Sequence, residues 1–428
     1  MGTKPASRGL SLLLGTIIGM VLLIPQQASA VPAFARQVGM SCVACHNQAF
    51  PALNAFGRSF RAGGYTMVGG KSLIEGDDIS LPMAMNLSAV LKARYVKENG
   101  DSGEGVDHGQ IQFPDEAALL IGGRMAKDVG FLFEVGMAGI AGGVEGENDP
   151  ITNEVTGEAE SIALLGAKMH FNVANVGASQ LSVIPFTTDA LGVGYGFELL
   201  NTGVQRSQRA AEPRTSTSAG QALGTGAGAA TGMAFVASSH RYFVNYTAWT
   251  PGFWGENQDI KPAGLAHALR AVYMPNLGGW DTGFGMQYMT GDVKVAGEAP
   301  MKTDAWLLDA QALGQVASMP LSLYASYGRS KGDPDSIWNT NDEDASAWSV
   351  MAQLGVKPNK ANVYLAYRAM DDGAAADSQF NALAFGGQYL WSQNIRFELF
   401  HVMESGSGVD ARANGNDSQT MLQLFAGF

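Results

Sequence analysis

The chain has 428 residues, with 15% charged side chains, 55 glycines, two cysteines and a formal net charge of −12. Soluble domains of this length usually carry about a quarter charged residues and show helical periodicity, so the composition argues against one, and no nucleic-acid partner is expected of so acidic a chain. Mean hydropathy is +0.01, yet no apolar run after residue 30 reaches the length of a membrane helix, which leaves a membrane β-barrel as the expected class.

Residues 1–30 read as an export signal. Lys4 and Arg8 supply a positive start, Leu10 to Ile24 is an apolar run ended by Pro25, and Ala28-Ser29-Ala30 is a small-residue cleavage site, which predicts a mature chain from Val31. The apolar run is short for a bilayer span, so a retained anchor is the lesser alternative.

Both cysteines fall in Cys42-Val43-Ala44-Cys45-His46. In C-x-x-C-H the two thiols add across the vinyl groups of a haem and the histidine becomes the proximal iron ligand. A dithiol redox pair is the other reading of C-x-x-C, but that motif belongs in a βαβ setting, which the sequence lacks. Leu53, Phe56 and Phe60 are spaced i, i+3, i+7, predicting a short helix with one apolar face and with Pro51 in its first turn. Some fifty residues bury too little to fold well alone, so a haem is the expected core of a unit spanning 31–80. Arg36, Arg58 and Arg61 are candidates to pair with haem propionates, or are simply solvated. Met67 is the expected distal ligand, with Met40, Met83 and His108 as alternatives beside a water-bound site.

Pro32-Ala33-Phe34-Ala35-Arg36-Gln37, Gly39, the C-x-x-C-H run, Phe50-Pro51-Ala52-Leu53, Phe56-Gly57-Arg58-Ser59-Phe60 and Gly64-Tyr65-Thr66 resemble the fused monohaem cytochrome–porins of iron-oxidising bacteria. The resemblance implies a small α-helical cytochrome with one covalent haem c, held by Cys42, Cys45 and His46, ahead of an outer-membrane barrel. It also implies oxidation of extracellular Fe(II), that is, an Fe(II):cytochrome c oxidoreductase. The barrel half matches that family only in architecture and length.

From residue 81 to 428 the period becomes two. Leu87, Ala89, Leu91, Ala93 and Tyr95 alternate with Ser88, Val90, Lys92 and Arg94; Ile395, Phe397 and Leu399 flank Arg396 and Glu398. In an outer-membrane barrel the apolar face meets lipid and the polar face lines the lumen. Sixteen such segments are predicted, at 83–97, 116–126, 129–139, 160–171, 178–187, 232–240, 241–250, 264–274, 281–291, 303–313, 320–328, 346–356, 361–370, 380–391, 393–403 and 418–428. Their connections alternate long and short, which puts the long loops outside and both barrel ends in the periplasm. The alternating C-terminus ending at Phe428 resembles an insertion signal, and Tyr246, Trp249, Tyr288, Trp306, Tyr327, Tyr389 and Trp391 are expected to form an aromatic girdle.

Acidic residues gather in three long loops: Asp101, Glu104 and Asp107; Glu145 to Glu160; Asp333, Asp335, Asp342, Glu343 and Asp344. Such loops concentrate divalent cations or bind lipopolysaccharide through magnesium. The loop 188–231, with the part from Gly220 to Gly232 rich in Gly, Ala, Ser and Thr, is expected to be flexible and to fold inward or stay mobile. Joined together, the parts predict a monomeric outer-membrane electron conduit, with the haem unit plugging the lumen from the periplasmic side. Fe(II) is the donor and a periplasmic c-type cytochrome the acceptor, and no protein acid or base is needed. The alternatives are a solute channel gated by the haem-bearing unit and a conduit for another donor.

Overall fold

The computed structural model describes residues 32–70, 73–76, 80–83, 86–100, 109–138, 163–253, 262–295 and 299–428. The export signal, the loops carrying Asp101 to Asp107 and Glu145 to Glu160, and His108 lie outside the described residues.

The barrel begins with β1 (Leu87–Glu98), β2 (Gln110–Ala126), β3 (Val129–Ala138), β4 (Ala163–Val176), β5 (Ser179–Thr188), β6 (Ala230–Ser238), β7 (Tyr242–Thr250) and β8 (Ala266–Tyr273). It continues through β9 (Trp280–Thr290), β10 (Ala305–Val316), β11 (Met319–Ser330), β12 (Ala345–Lys357), β13 (Ala361–Asp371), β14 (Gln379–Ser392), β15 (Ile395–Ser405) and β16 (Ser418–Gly427). Each strand pairs antiparallel with its neighbours, and β16 closes on β1 through Phe425 opposite Lys92 and Gly427 opposite Val90. All sixteen predicted segments are strands. A two-residue rung, Asn276–Leu277, extends the turn before β9.

Period two explains why these residues make strands. Along β13, Asn362, Tyr364, Ala366 and Arg368 are buried, whereas Val363, Leu365 and Tyr367 are exposed on the outside. The bury-inside, apolar-outside pattern is that of a barrel whose outer face meets lipid. Most boundaries shift by a few residues, and three shift further. β1 starts at Leu87 rather than 83, β4 runs on to Val176, and β2 reaches back to Gln110, with Asp115, outside the predicted segment, and Glu116, at its start, pairing across the wall with Arg94 and Lys92. Trp249 is not in a girdle: it is 1% exposed and faces the lumen, stacked on Trp338 at 6.2 Å. Tyr246, three positions away, must face the opposite side, and it is 41% exposed.

Two structures occupy the lumen. The loop between β5 and β6 folds inward, with Tyr195, Phe197, Leu199 and Leu200 at most 2% exposed. Its Ala210 and Ala211 pack with Tyr324, Met351, Phe400 and Met421 of the far wall. Two single-turn helices, Arg214–Thr217 and Ala219–Ala222, end the crossing. Its small residues are those a close approach to the wall demands: a Cβ on Gly220 would meet Leu307 Cδ1 at 3.1 Å. Arg270 of β8 clamps the loop to the wall, donating to Glu198 Oε2 at 2.9 Å and to Asp309 of β10, while Thr202 also donates to Asp309.

The N-terminal unit fills the short-turn end. It comprises α1 (Pro32–Val38), the single turn α2 (Cys42–Cys45) and α3 (Ala55–Ala62). Its contacts reach round the wall: Asn47 Nδ2 donates to Ser322 Oγ of β11 at 2.8 Å, Arg58 pairs with Asp281 of β9 at 2.5 Å, and Phe50 stacks on Phe425 of β16 at 5.1 Å. Asn172 Nδ2 of β4 donates to the Gly63 carbonyl at 3.0 Å. Outside the lumen a short hairpin, Leu73–Glu75 with Ser80–Pro82, leads to β1.

Candidate functional site

Sequence folds the segment around Cys42 into a tight double turn. The His46 amide donates to the Cys42 carbonyl at 2.9 Å and the Asn54 amide to the Cys45 carbonyl at 3.0 Å. Asn54 then caps α3, its Oδ1 accepting from Gly57 N at 3.0 Å, while its Nδ2 donates back to the Ala44 carbonyl at 3.0 Å. One amide therefore starts the helix and fixes the cysteine turn, a role for which Asn suits the N-cap. The helix starts after this cap, so Pro51 lies ahead of it rather than in its first turn. Gly57 is obligatory, because a Cβ there would stand 2.1 Å from the Cys45 carbonyl oxygen.

Cys42 and Cys45 are not disulfide-bonded. Burial pushes the Cys42 thiol up to about 12, against its backbone hydrogen bond, and raises Cys45 as well. A dithiol redox centre shows the opposite direction. The His46 Nδ1 lies 3.2 Å from the Ala52 carbonyl and the ring meets Phe50 edge-on at 5.2 Å. A carbonyl partner holds the proton on Nδ1 and leaves the Nε2 lone pair for a metal. Burial lowers the imidazole to about 4, against hydrogen bonds to the Ala52 and Pro51 carbonyls, so it is neutral at physiological pH.

Cys45 and His46 line a cavity of about 350 Å³ between the N-terminal unit, the inward loop and the wall of β1 to β4. Its lining combines apolar side chains, among them Phe34, Val38, Phe50, Leu53, Phe60 and Leu120, with ionic ones, among them Lys92, Arg94, Arg209 and Glu116. Along α3 the face turned to the cavity is Leu53, Gly57, Phe60 and Arg61 rather than the predicted Leu53, Phe56, Phe60. Among the lining residues Phe34 stacks on Tyr65 at 4.9 Å and meets Phe60 edge-on at 5.3 Å. Next to the ionic lining residues Glu212 of the inward loop lies 3.5 Å from Lys92, 3.3 Å from Arg94, 3.1 Å from Arg209 and 3.8 Å from Arg396. Burial raises the Glu212 carboxyl, but Arg209, Lys92 and Arg94 together hold it well below the usual range.

Two thiols at C-x-x-C spacing, a neutral imidazole with a fixed tautomer and a half-apolar, half-ionic cavity are a donor set that fits haem c. Several expected contacts lie elsewhere. Arg36 donates to the Leu87 carbonyl and Arg58 is committed to Asp281, so neither lines the cavity; Arg61 does. Met67 is outside it, its carbonyl accepting from Gln37 Nε2 at 2.7 Å, and Met83 is 67% exposed at the short hairpin. Met40 is the methionine that lines the cavity. Sequence reading did not single out Asn54, Arg209, Glu212 or Tyr195 as site residues. Lys92 and Arg94 were visible as charges on the inner face of a period-two strand. In the acidic loop after β11, Lys302 lies 2.7 Å from Asp333 and Arg329 lies 3.3 Å from Asp344. Among the described residues no group of three His, Cys, Asp or Glu side chains could hold a metal ion.

No family model and no curated protein matches the sequence. Solved structures similar to it include OprB of Pseudomonas putida at high pH, at 13% identity over 81% of this chain and 94% of that one, with a TM-score of 0.54. The outer membrane channel DcaP of Acinetobacter baumannii (13% identity, 84% and 100% covered, TM-score 0.47) and OmpT of Vibrio cholerae (11%, 83% and 100%, 0.44) are also similar. The likeness to OprB is one of fold, and the fold is that of a closed porin-type barrel.

Proposed function

We propose that this chain is an outer-membrane electron conduit that oxidises extracellular Fe(II) and passes the electron through one c-type haem to a periplasmic cytochrome. The observation that carries the reading is the Cys42-to-His46 turn, with Nδ1 of His46 engaged, opening on a half-apolar cavity inside a barrel. Iron as the donor comes from the family resemblance. A haem bound there supplies a one-electron iron couple. Cys42 and Cys45 fix the ring by thioether bonds, and His46 ligates the iron through Nε2. Phe34, Phe50 and Phe60 exclude water from the ring, and Lys92, Arg94 and Arg209 supply positive charge along the cavity edge. No side chain needs to move a proton. The apolar outer face and the long loops at one end support an outer-membrane setting with those loops outside.

The lumen counts against the solute-channel alternative. The N-terminal unit contacts β4, β9, β11 and β16 at the short-turn end, and the inward loop crosses above it. Conductance of the reconstituted protein should therefore be small. The deciding experiment mixes air-oxidised, detergent-solubilised protein anaerobically with Fe(II) near neutral pH. A rapid reduced c-type α-band is expected. Haem that dithionite reduces but Fe(II) does not would refute direct iron oxidation and move another donor, or the channel, ahead.

A further inference from the structure

Two cations beside the cavity, Arg61 and Lys168, make no ion pair with a carboxylate among the described residues. Arg61 of α3 donates from its two terminal nitrogens to the neutral amide oxygens of Gln208 and Gln205, each at 2.7 Å. Its Nε is buried without any hydrogen-bond partner. Lys168 of β4 is 3% exposed, and its Nζ donates to the Tyr195 carbonyl at 2.7 Å. The same ammonium stands 4.5 Å from the centre of the Tyr195 ring and 5.9 Å from that of Tyr65. Arg61, Tyr65 and Tyr195 all line the cavity, and Lys168 sits directly behind the two rings.

The rest of the cavity edge is different. Lys92, Arg94 and Arg209 each lie within 3.5 Å of Glu212, and Lys92 and Arg94 have a second carboxylate in Glu116 and Asp115. Glu134 also lines this part of the wall and its field reaches Lys168, but it makes no ion pair at contact distance with Arg61 or Lys168. Taking a cation out of water is costly unless an anion accompanies it, and dipoles and ring faces offset only part of that cost. Two such cations behind one stretch of wall therefore mark a seat for negative charge. It faces a cavity whose lining is otherwise rich in apolar and aromatic side chains, so the ligand that suits both is a flat apolar ring system with carboxylates along one edge.

We propose that Arg61, backed by Lys168 behind the Tyr65 and Tyr195 rings, seats the carboxylate edge of the tetrapyrrole attached at Cys42 and Cys45. The inference rests on the haem reading given above. Arg61 belongs to the N-terminal unit, Lys168 to the barrel wall, and Gln205, Gln208 and Tyr195 to the inward loop. The cofactor edge thus lies where all three meet. A positive charge at that place favours the reduced iron, and removing it favours the oxidised form.

The test uses the haem-loaded full chain in detergent. In Lys168→Met and in Arg61→Gln the reduction equilibrium should move about tenfold toward the oxidised form, a fall of about 59 mV for a one-electron couple. Lys168→Arg should restore the wild-type value, and Arg329→Gln, an equal loss of charge on an exposed strand end, should leave it unchanged. A second measurement uses a haem-free Cys42→Ala/Cys45→Ala chain. There Lys168→Met should raise the melting temperature, whereas in the loaded chain it should lower it. No change in the equilibrium, or the same sign of stability change with and without haem, overturns the proposal while the haem reading stands. Stabilisation of the haem-free chain by inorganic phosphate that requires Lys168, with no effect on the loaded chain's equilibrium, overturns it in favour of a free-anion site. If wild-type protein carries no covalent haem on a denaturing gel, both readings fall.

Discussion

At the scale of single residues, the site depends on two positions that carry no reactive group. Gly57 allows α3 to lie against the Cys45 carbonyl, and Asn54 ties the helix start to the cysteine turn. Gly57→Ala should push the helix off the turn, because a Cβ 2.1 Å from a backbone oxygen has nowhere to go. Limited proteolysis should then cut between residues 32 and 70 while the barrel stays resistant; equal resistance to the wild type would contradict this account. Asn54→Ala should show a milder form, since losing a cap costs about 1 kcal/mol. The cysteines and His46 were legible because C-x-x-C-H is local chemistry written at fixed spacing. The contacts of Arg36, Arg58 and Met67 were not, because their partners Leu87, Asp281 and Gln37 lie 51, 223 and 30 residues away.

At the scale of elements, the inward loop has only short helical turns of its own, and ionic contacts add to its packing against the wall. Arg270 neutralises both Glu198 and Asp309, all three buried. Arg270→Met leaves two buried carboxylates uncompensated, a change that costs about 3–5 kcal/mol where measured for buried pairs. The loop should detach, and single-channel recordings should show a rise in conductance; an unchanged trace would mean that the loop is held by packing alone. Acid should act in the same direction at Glu212. Its carboxyl is held well below 4.5, so its contribution to stability is present above that value and lost as pH falls through the folded-state value. Conductance should thus rise on acidification well below pH 4.5 and recover on return to neutrality. Composition alone left this loop's path open, because Gly, Ala, Ser and Thr are equally the residues of a mobile linker and of a segment packed tightly against a wall. The charges that decide between them come from β8 and β10.

At the scale of the whole molecule, the barrel was the most legible feature, because period two repeats sixteen times with alternating long and short connections. Strand ends were less so where a lumen charge looks like a loop residue, as at Asp115. The two faces make opposite predictions for the same substitution. Leu365 of β13 is 56% exposed on the outer face, and Leu365→Arg should cost about 2–4 kcal/mol of folding into lipid if it lies near the bilayer midplane. Arg368, three residues on, already carries that charge in the lumen, paired with Glu404 at 3.5 Å. Folding titrations in vesicles would measure the difference, and a Leu365→Arg chain as stable as the wild type would place that face outside the hydrocarbon.

Barrel closure also sets an order of assembly. The seam is the β16–β1 pairing, and its residues Phe425, Val90 and Lys92 are themselves part of the cavity wall. The segment that precedes β1 is enclosed by that seam, with Phe50 against Phe425 and the Cys42 amide on Gln393 Oε1 at 3.1 Å. The last hydrogen-bonded rungs cannot form around a cargo that arrives later through the wall. On the haem reading, a bulky group joined to Cys42 and Cys45 would have to be attached while the sheet is still open, so that cofactor maturation would precede membrane insertion.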